Sequence, residues 1–523
     1  MRILLFEIGG PRQEFNEPLG IEIIGAYLKS QFAKEQIPIQ VDIKWFFETE
    51  MLPDKNEMQG YDVLGFSLQI GSYKRFRKVY DIYCTISSPP VLIIGNVIPT
   101  FANKETLSHF DKAILIRGDG EIAFYKICRE LATSRHLSDN VLKSITNISF
   151  IGKKQKILTS PTTPLNVKEL PHATRHFLKF IKQKGGIARV EGSRGCHWGK
   201  CKFCCVKEKY GSAEWRPFPL EHIVSELEIL GRSNILSPYF TDEDFFGSDY
   251  NRGKELANLI IEAKNCGRLP LQMNFFLSVM ANDVKNAKGF EALTFLQKAG
   301  LREVFIGIEA FSGEQLKRFG KKANIDTNEI ALNKIHEIGF QIDIGYIMFD
   351  PFMTFKELQD NIEYIEKLTL NTFDSRSLKA LRIQPKTPIE NEYSSVITGA
   401  LDFDNLMYPY RFKDNKVQLA QDIYKQWEIP FEDATYLLQA ASRGEVKDED
   451  SRLQQKQQLG KIRNIDFKAL KVIVSEISQN SGKKHIMKKL EILDPLKREK
   501  LTEQNTGADL GLLSGSRKFP ALT

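Results

Sequence analysis

No stretch of the chain approaches the roughly 18 consecutive uncharged apolar residues of a membrane span, so none is expected. The opening residues, Met1-Arg-Ile-Leu-Leu-Phe-Glu, lack the apolar run and small-residue cleavage site of a secretory signal. Cysteine is scarce, with seven in 523 residues, and three of those fall in one short window. That distribution does not make a disulfide framework, and a reducing, cytoplasmic setting is expected. Internal repeats and low-complexity tracts are absent. So is a strong excess of one charge, since 73 Lys and Arg against 66 Asp and Glu leave +7. This balance admits an anionic cofactor or substrate and gives no argument for nucleic acid as a partner. The length suits two to four domains, each with its own core.

What is present centres on Ser193-Arg-Gly-Cys196-His-Trp-Gly-Lys-Cys201-Lys-Phe-Cys204-Cys205-Val206. The spacing Cys-x4-Cys-x2-Cys lets one tight loop wrap a small inorganic centre, because thiolates are soft ligands that select zinc or iron–sulfur clusters. Three thiols on a four-iron cubane would leave one iron without a protein ligand, an open corner suited to catalysis. A zinc knuckle with Cys205 or His197 as fourth ligand is the alternative. Against it, adjacent Cys204 and Cys205 are poorly placed to share one tetrahedral ion, and no second Cys-x2-Cys or His pair completes a finger. Buried structural cysteines are a third reading, at odds with a loop rich in glycine and lysine.

Around this loop the chain reads as two α/β regions and a helical end. In residues 1–150, short apolar runs at Ile3–Ile8, Val63–Leu68, Val91–Ile94 and Ala113–Ile116 have the character of buried parallel strands. Helical spacing at Leu19–Phe32, Phe76–Ile86 and Ile122–Leu131 separates them. The alternation predicts a doubly wound sheet that binds ligands at the carboxyl ends of its strands. Those ends carry Gly9-Gly10-Pro11, Ser67–Ser72, Gly95–Thr100 and Arg117–Glu121. A hairpin at Asn147–Thr159 and a Pro-rich linker occupy 151–184. From 185 to 390 the alternation returns, with strands expected at Ile187–Glu191, Ser237–Thr241, Leu271–Phe276, Glu303–Ile308, Gln341–Ile347 and Ser377–Ile383. Residues 391–505 are mainly helical, with Leu419–Trp427 and Phe431–Ala441 covering the open side of the second region. Lys456–Lys500 reads as a solvated basic face, and 506–523 as a loose tail.

The run Gly195–Cys204 resembles the cluster loop of the radical S-adenosylmethionine (SAM) enzymes, with one more residue than their usual Cys-x3-Cys-x2-Cys. The resemblance implies a 4Fe–4S cluster on Cys196, Cys201 and Cys204, with Cys205 outside the ligand set. In that family SAM chelates the unique iron, and reductive cleavage releases a 5′-deoxyadenosyl radical. Thr241-Asp242-Glu243-Asp244 is similar to the acidic motif that meets the SAM amino group, with Asp242 and Glu243 favoured. Val304-Phe-Ile-Gly-Ile-Glu309, followed by Leu316-Lys-Arg-Phe-Gly-Lys321, places Glu309 against the SAM ribose or methionine. Phe203 matches the aromatic beside adenine. Leu381-Arg-Ile-Gln-Pro-Lys-Thr-Pro388 is similar to a sixth strand and its Pro-Gly-Thr-Pro turn, with Lys386 replacing glycine.

The N-terminal region resembles the cobalamin-binding domain that precedes many radical SAM modules. It departs from the pattern at Asn96, where a second glycine is usual, and at Arg117-Gly-Asp-Gly-Glu121. Without an Asp-x-His-x-x-Gly motif, cobalamin would bind with no protein imidazole beneath the metal. Ser67, Gly95, Thr100, Gly118 and Glu121 are the residues the resemblance sets against it. The implied architecture is a Rossmann-like domain, a partial (β/α)6 barrel and a mainly helical C-terminal region. The implied function is cobalamin-dependent methylation of an unactivated carbon. Alternatives are a rearrangement, cyclisation or sulfur insertion without methyl transfer, or a zinc- or RNA-binding module. Implied partners are a small-molecule or peptide substrate and an electron donor such as flavodoxin or ferredoxin.

Overall fold

The computed structural model describes residues 1–9, 15–47, 52–373, 377–444 and 449–502. Gly10 and Pro11 of the first strand-end loop, and the tail 506–523, lie outside the described residues.

The first sheet has seven strands: β1 (Arg2–Ile8), β2 (Gln40–Phe46), β3 (Val63–Ser67), β4 (Val91–Gly95), β5 (Ala113–Ile116), β6 (Ile148–Ile151) and β7 (Ile157–Thr159). Their order is β2-β1-β3-β4-β5-β6-β7. The first five are mutually parallel, and the hairpin β6–β7 continues the sheet antiparallel. The hairpin thus belongs to the sheet rather than to a linker. Alternate residues of β1 face opposite cores. Leu4, Phe6 and Ile8 pack on one side, while Ile3 and Leu5 pack on the other against the helices Leu19–Lys34 and Glu121–Ser134. β2 escaped the sequence reading because it is an edge strand, with polar residues interrupting its apolar ones. The strand order switches sides between the parallel neighbours β1 and β3, which opens a crevice at their carboxyl ends.

The second sheet is parallel, in the order β14-β13-β12-β11-β8. It comprises β8 (Arg189–Val190), β11 (Tyr239–Phe240), β12 (Phe275–Met280), β13 (Leu301–Glu309) and β14 (Gln341–Tyr346); a separate ribbon pairs β9 (Ser193–Arg194) with β10 (Arg216–Pro217). The expected sixth strand reduces to one parallel bridge between Phe349 and Ala380. Beyond it, Ile383 is taken by Tyr408 and the Leu381 carbonyl by the Tyr410 hydroxyl, so the segment turns away from the barrel edge. β12 begins four residues later than expected, since Leu271 stays exposed after Pro270 and the apolar run proper starts at Phe275.

Two features tie the parts together. Residues 15–17 lie alongside Ile187, and Glu17 accepts hydrogen bonds from the Arg189 backbone (2.8 Å) and from Arg175 (2.7 Å). Later, a strap around residues 401–406 returns to the first domain. Phe403 and Leu406 are buried in its core, and Asp404 accepts from the backbone of Gly71 (2.9 Å) and Tyr73 (3.0 Å).

The C-terminal helices Asn415–Glu428 and Glu449–Ser478 share the barrel's apolar core, while Leu438 of the helix Glu432–Arg443 packs with Leu459 and Ile462 in a small separate cluster. The basic segment is not simply a solvated face. Lys456 pairs with Glu303 and Lys497 with Asp466, and just ahead of the segment Arg452 is fully buried over the Phe276 ring. Glu303, Phe276 and Asp343 stand near the amino ends of their strands, so these helices close the barrel's lower mouth through paired charges. No helix among the described residues is long and apolar enough to cross a membrane.

Candidate functional site

The cysteine loop leaves β9 through Gly195, whose φ of +95° and crowding exclude a side chain. A Cβ there would lie 2.0 Å from the Glu214 carbonyl oxygen. Gly199 (φ +55°) faces Ala213 in the same way. Trp198 donates to the Gly320 carbonyl (3.1 Å), and the Lys202 N–H to that of Phe319 (2.8 Å), which anchors the loop on the carboxyl end of the helix Gly313–Phe319.

The three thiols gather at this position with hydrogen-bond donors aimed at them. Backbone N–H groups of Gly199 and Trp198 face Cys196, that of Val206 faces Cys204, and Trp198 also reaches Cys201. Burial pushes Cys196 up to about 11 and Cys204 up to about 12, with neighbouring thiols adding to the latter. A cationic centre is what would bring their protons off. Among the described residues, ligand atoms of three His, Cys, Asp or Glu side chains come within 4.8 Å of one another only at a separate His–His–Glu group.

Glu309 closes β13 with φ +67°, at a bulge in its pairing with β14, and meets Lys321 at 3.1 Å. The Lys321 ammonium also lies beside Cys201 and Cys204; burial disfavours its charge, but Glu309 and these thiols hold its pKa above the usual value. Gly307 makes room, for a Cβ there would come within 2.6 Å of Glu309 Oε1. Phe203 packs edge-on against Phe319, with ring centroids 5.3 Å apart.

The acidic motif divides its labour. Asp242 is buried, and its two oxygens accept from the Gly192 N–H (2.8 Å) and the Ser193 hydroxyl (2.6 Å). Burial pushes its carboxyl up to about 8. It faces the loop's own backbone, not an open ligand position. Glu243 binds Lys209 (2.6 Å) and the Tyr210 hydroxyl (3.0 Å), so it braces the short helix after Cys205. Asp244 holds His197 through its N–H (3.0 Å) and Nδ1 (2.5 Å), and leaves the buried Nε2 without a hydrogen-bond partner.

The first domain's candidates fall into two groups. Ser67 donates to Glu7 (2.7 Å) and accepts from Asn96 (2.8 Å), and Gln69 also binds Glu7 (3.0 Å). These residues rim the β1–β3 crevice beside Gly95, where a Cβ would meet nothing closer than 4.0 Å. Asn96 stands at φ +85°, ψ −162°, a region that is essentially glycine's. Thr100, Gly118 and Glu121 instead serve the junction between domains. The Thr100 hydroxyl accepts from the Gly118 N–H (3.1 Å), and its carbonyl accepts from Lys386 (2.6 Å). Glu121 and Asp119 each meet Arg194 at 2.9 Å, Asp119 also meets Arg216 at 2.6 Å, and Arg194 reaches Glu191 at 2.9 Å. Burial pushes Glu121 up, while at Asp119 the two guanidiniums outweigh burial and hold the carboxyl low. Arg194 stands two residues before Cys196, so this buried network ties the first domain to the root of the cysteine loop.

Residues 190–365 match the family model of the radical SAM superfamily. The chain carries a radical SAM domain. Among curated proteins, it is 26% identical over 325 residues to the 4'-phospho-dehydrooxetanocin synthase of Priestia megaterium, covering 58% of this chain and 43% of that protein. It is 24% identical over 340 residues to the hopanoid C-3 methylase of Methylococcus capsulatus, covering 64% and 61%. The matches thus span less than two thirds of either relative. Among solved structures, the cobalamin-dependent SAM radical enzyme OxsB, with aqua-cobalamin and SAM bound, superposes with a TM-score of 0.77 at 18% identity, over 99% of this chain and 82% of that one. The radical SAM methyltransferase TsrM from Kitasatospora setae gives 0.59 at 16% identity, over 76% and 79%. The radical SAM domain and its doubly wound neighbour therefore share the architecture of cobalamin-dependent radical SAM enzymes.

Lys321, Arg194 and Asp119 drew no role from the sequence. Lys321 was visible in Leu316–Lys321, and the exceptional Asp119 marked the Gly118–Glu121 turn, but their partners lie on distant elements.

Proposed function

We propose that this chain is a cobalamin-dependent radical SAM enzyme that methylates an unactivated carbon. The observation carrying the reading is the loop of three thiols beside Lys321 and Glu309, braced through Arg194 against a doubly wound domain. Cys196, Cys201 and Cys204 would hold the 4Fe–4S cluster, and Gly95, Asn96, Ser67 and Gln69 would border cobalamin. When bound, the cluster and SAM supply a carbon-centred oxidant, and cobalamin supplies a transferable methyl group.

The chain's own residues bind and orient. Backbone N–H groups around Cys196 and Cys204 offset the negative charge of the ligating sulfurs. Lys321 adds a positive charge at the same edge and fixes Glu309, whose carboxylate would accept hydrogen bonds from the ribose or methionine part of SAM. Asp242 keeps Gly192 and Ser193 in register beneath the loop. The Asp119–Arg194 network holds the two cofactor-bearing halves at a set spacing.

Radical chemistry without methyl transfer is the second reading, supported by the resemblance to a protein named as a synthase, 26% identical over 325 residues, beside the methylase at 24%. Anaerobic turnover with methyl-deuterated SAM separates the two. Methylation yields 5′-deoxyadenosine, S-adenosylhomocysteine and a labelled product. The second reading yields 5′-deoxyadenosine with no label transferred. Absence of both nucleosides from reconstituted, reduced protein would remove the radical SAM assignment of activity.

A further inference from the structure

Where the helix Leu220–Arg232 meets the linker between the domains, two histidines and a glutamate converge from two elements. His222 and Glu226 stand four residues apart on the helix Leu220–Arg232 and so share a face. His172 comes from the linker that joins the two domains. Its Nδ1 lies 2.8 Å from Glu226 Oε1, and His222 Nε2 lies 4.0 Å from the same oxygen. The imidazoles stack at 4.3 Å between centroids. All three ligand atoms fall within 4.8 Å of one another.

We propose that His172, His222 and Glu226 form a zinc site that fastens the interdomain linker to the barrel. Two imidazoles and one carboxylate, with a fourth position open to water, are a donor set that zinc takes. Tetrahedral zinc with ligand bonds of about 2.0–2.1 Å separates its ligand atoms by about 3.3–3.4 Å. The observed 2.8 and 4.0 Å bracket that value, so small side-chain shifts suffice. The 4.0 Å gap is too long for a hydrogen bond, which leaves His222 Nε2 aimed at the carboxylate without one.

The surroundings support the ligands. Arg175 holds Glu226 Oε2 through its Nε at 3.0 Å, which orients Oε1 toward the histidines, as outer-shell partners of metal ligands do. The Arg175 charge is matched by Glu17 at 2.7 Å, so Arg175, Glu17 and Glu226 together carry one negative charge. The His172 side chain is 40% exposed and that of His222 is 17%, which gives an ion and its water a way in. Binding requires His172 to coordinate through Nδ1 and to carry its proton on Nε2, where water can accept it.

The test uses untagged full-length protein in which Cys196, Cys201 and Cys204 are alanine, so that thiols do not contribute. Titration with zinc alone, in competition with a chromophoric chelator, should show one ion per chain with a Kd below about 1 µM. His222→Ala, and separately His172→Asn on the half-exposed linker, should each weaken binding by at least about 100-fold while far-UV circular dichroism is unchanged. Cobalt in place of zinc should give visible ligand-field bands that both variants lose. Zinc binding weaker than about 1 µM, or undiminished in both variants, would overturn the site.

Discussion

Asp242→Asn should flatten the dependence of the barrel's stability on pH. The carboxyl titrates near 8 in the fold, against 3.8 when unburied, a rise of about four units. At about 1.36 kcal/mol per unit, the full effect is roughly 6 kcal/mol, an upper bound for one buried group. Its sign follows from the folded state's greater hold on the proton. The stabilisation is complete below pH 3.8, declines as pH rises between the two values, and is gone above about 8. The wild type should therefore lose about 1.4 kcal/mol per pH unit across that window relative to the variant, and the difference should level off above pH 8. Asparagine can keep both contacts, accepting from Gly192 and donating to Ser193, so its own profile lacks this slope. Urea unfolding of the two apo-proteins from pH 5 to 9.5, followed by circular dichroism and tryptophan fluorescence, measures the difference. Parallel profiles would refute the inward-facing, protonated carboxyl, as would a wild type that gains on the variant between pH 6 and 8. A carboxyl neutral at pH 7 is also a poor partner for an ammonium, so the variant should bind SAM almost as well as the wild type.

Alanine at Cys196, Cys201 or Cys204 should abolish SAM cleavage and lower iron content after reconstitution, whereas Cys205→Ala should retain both; equal loss in Cys205→Ala would contradict the ligand set. Glu309→Gln should weaken SAM binding by about 1.5–3 kcal/mol, read by isothermal titration, the usual worth of a charge-assisted hydrogen bond. Asp119→Ala strips Arg216 and Arg194 of a buried partner and should cost about 3–5 kcal/mol, seen as earlier proteolysis at the junction between domains. Asn96→Gly removes backbone strain of about 1–3 kcal/mol. It also loses two hydrogen bonds of about 0.5–1.5 kcal/mol each, so its urea midpoint should stay close to the wild type's.

The alternation of apolar runs made both sheets legible, because strands buried on two faces need uninterrupted Val, Ile, Leu and Phe. β2 was hidden since an edge strand needs apolar residues on one face only, and Ser377–Ile383 misled because its apolar residues serve contacts with Tyr408 and Tyr410. The cysteine loop could be read because its ligands are close in sequence. Asp242 and Glu121 could not be placed, for a carboxylate's role depends on whether its partner is a neighbouring backbone, a guanidinium from another domain or a ligand. Lysines and arginines after Lys456 misled for the same reason: charge in the sequence does not reveal the buried acid, such as Glu303, that neutralises it.

The strap that carries Phe403 and Leu406 into the first domain also bears on how the chain is made. Asp404 lies 331 residues beyond its partner Tyr73. At roughly 5–20 residues per second, the ribosome finishes the last strand of the first domain, at Thr159, about 12–50 seconds before it reaches Phe403, which completes that domain's core. The nascent domain must wait with that apolar patch open, a natural place for a chaperone to hold it. Genes that exchange this domain between relatives must bring along a matching strap from the far side of the barrel, so the inherited unit is discontinuous.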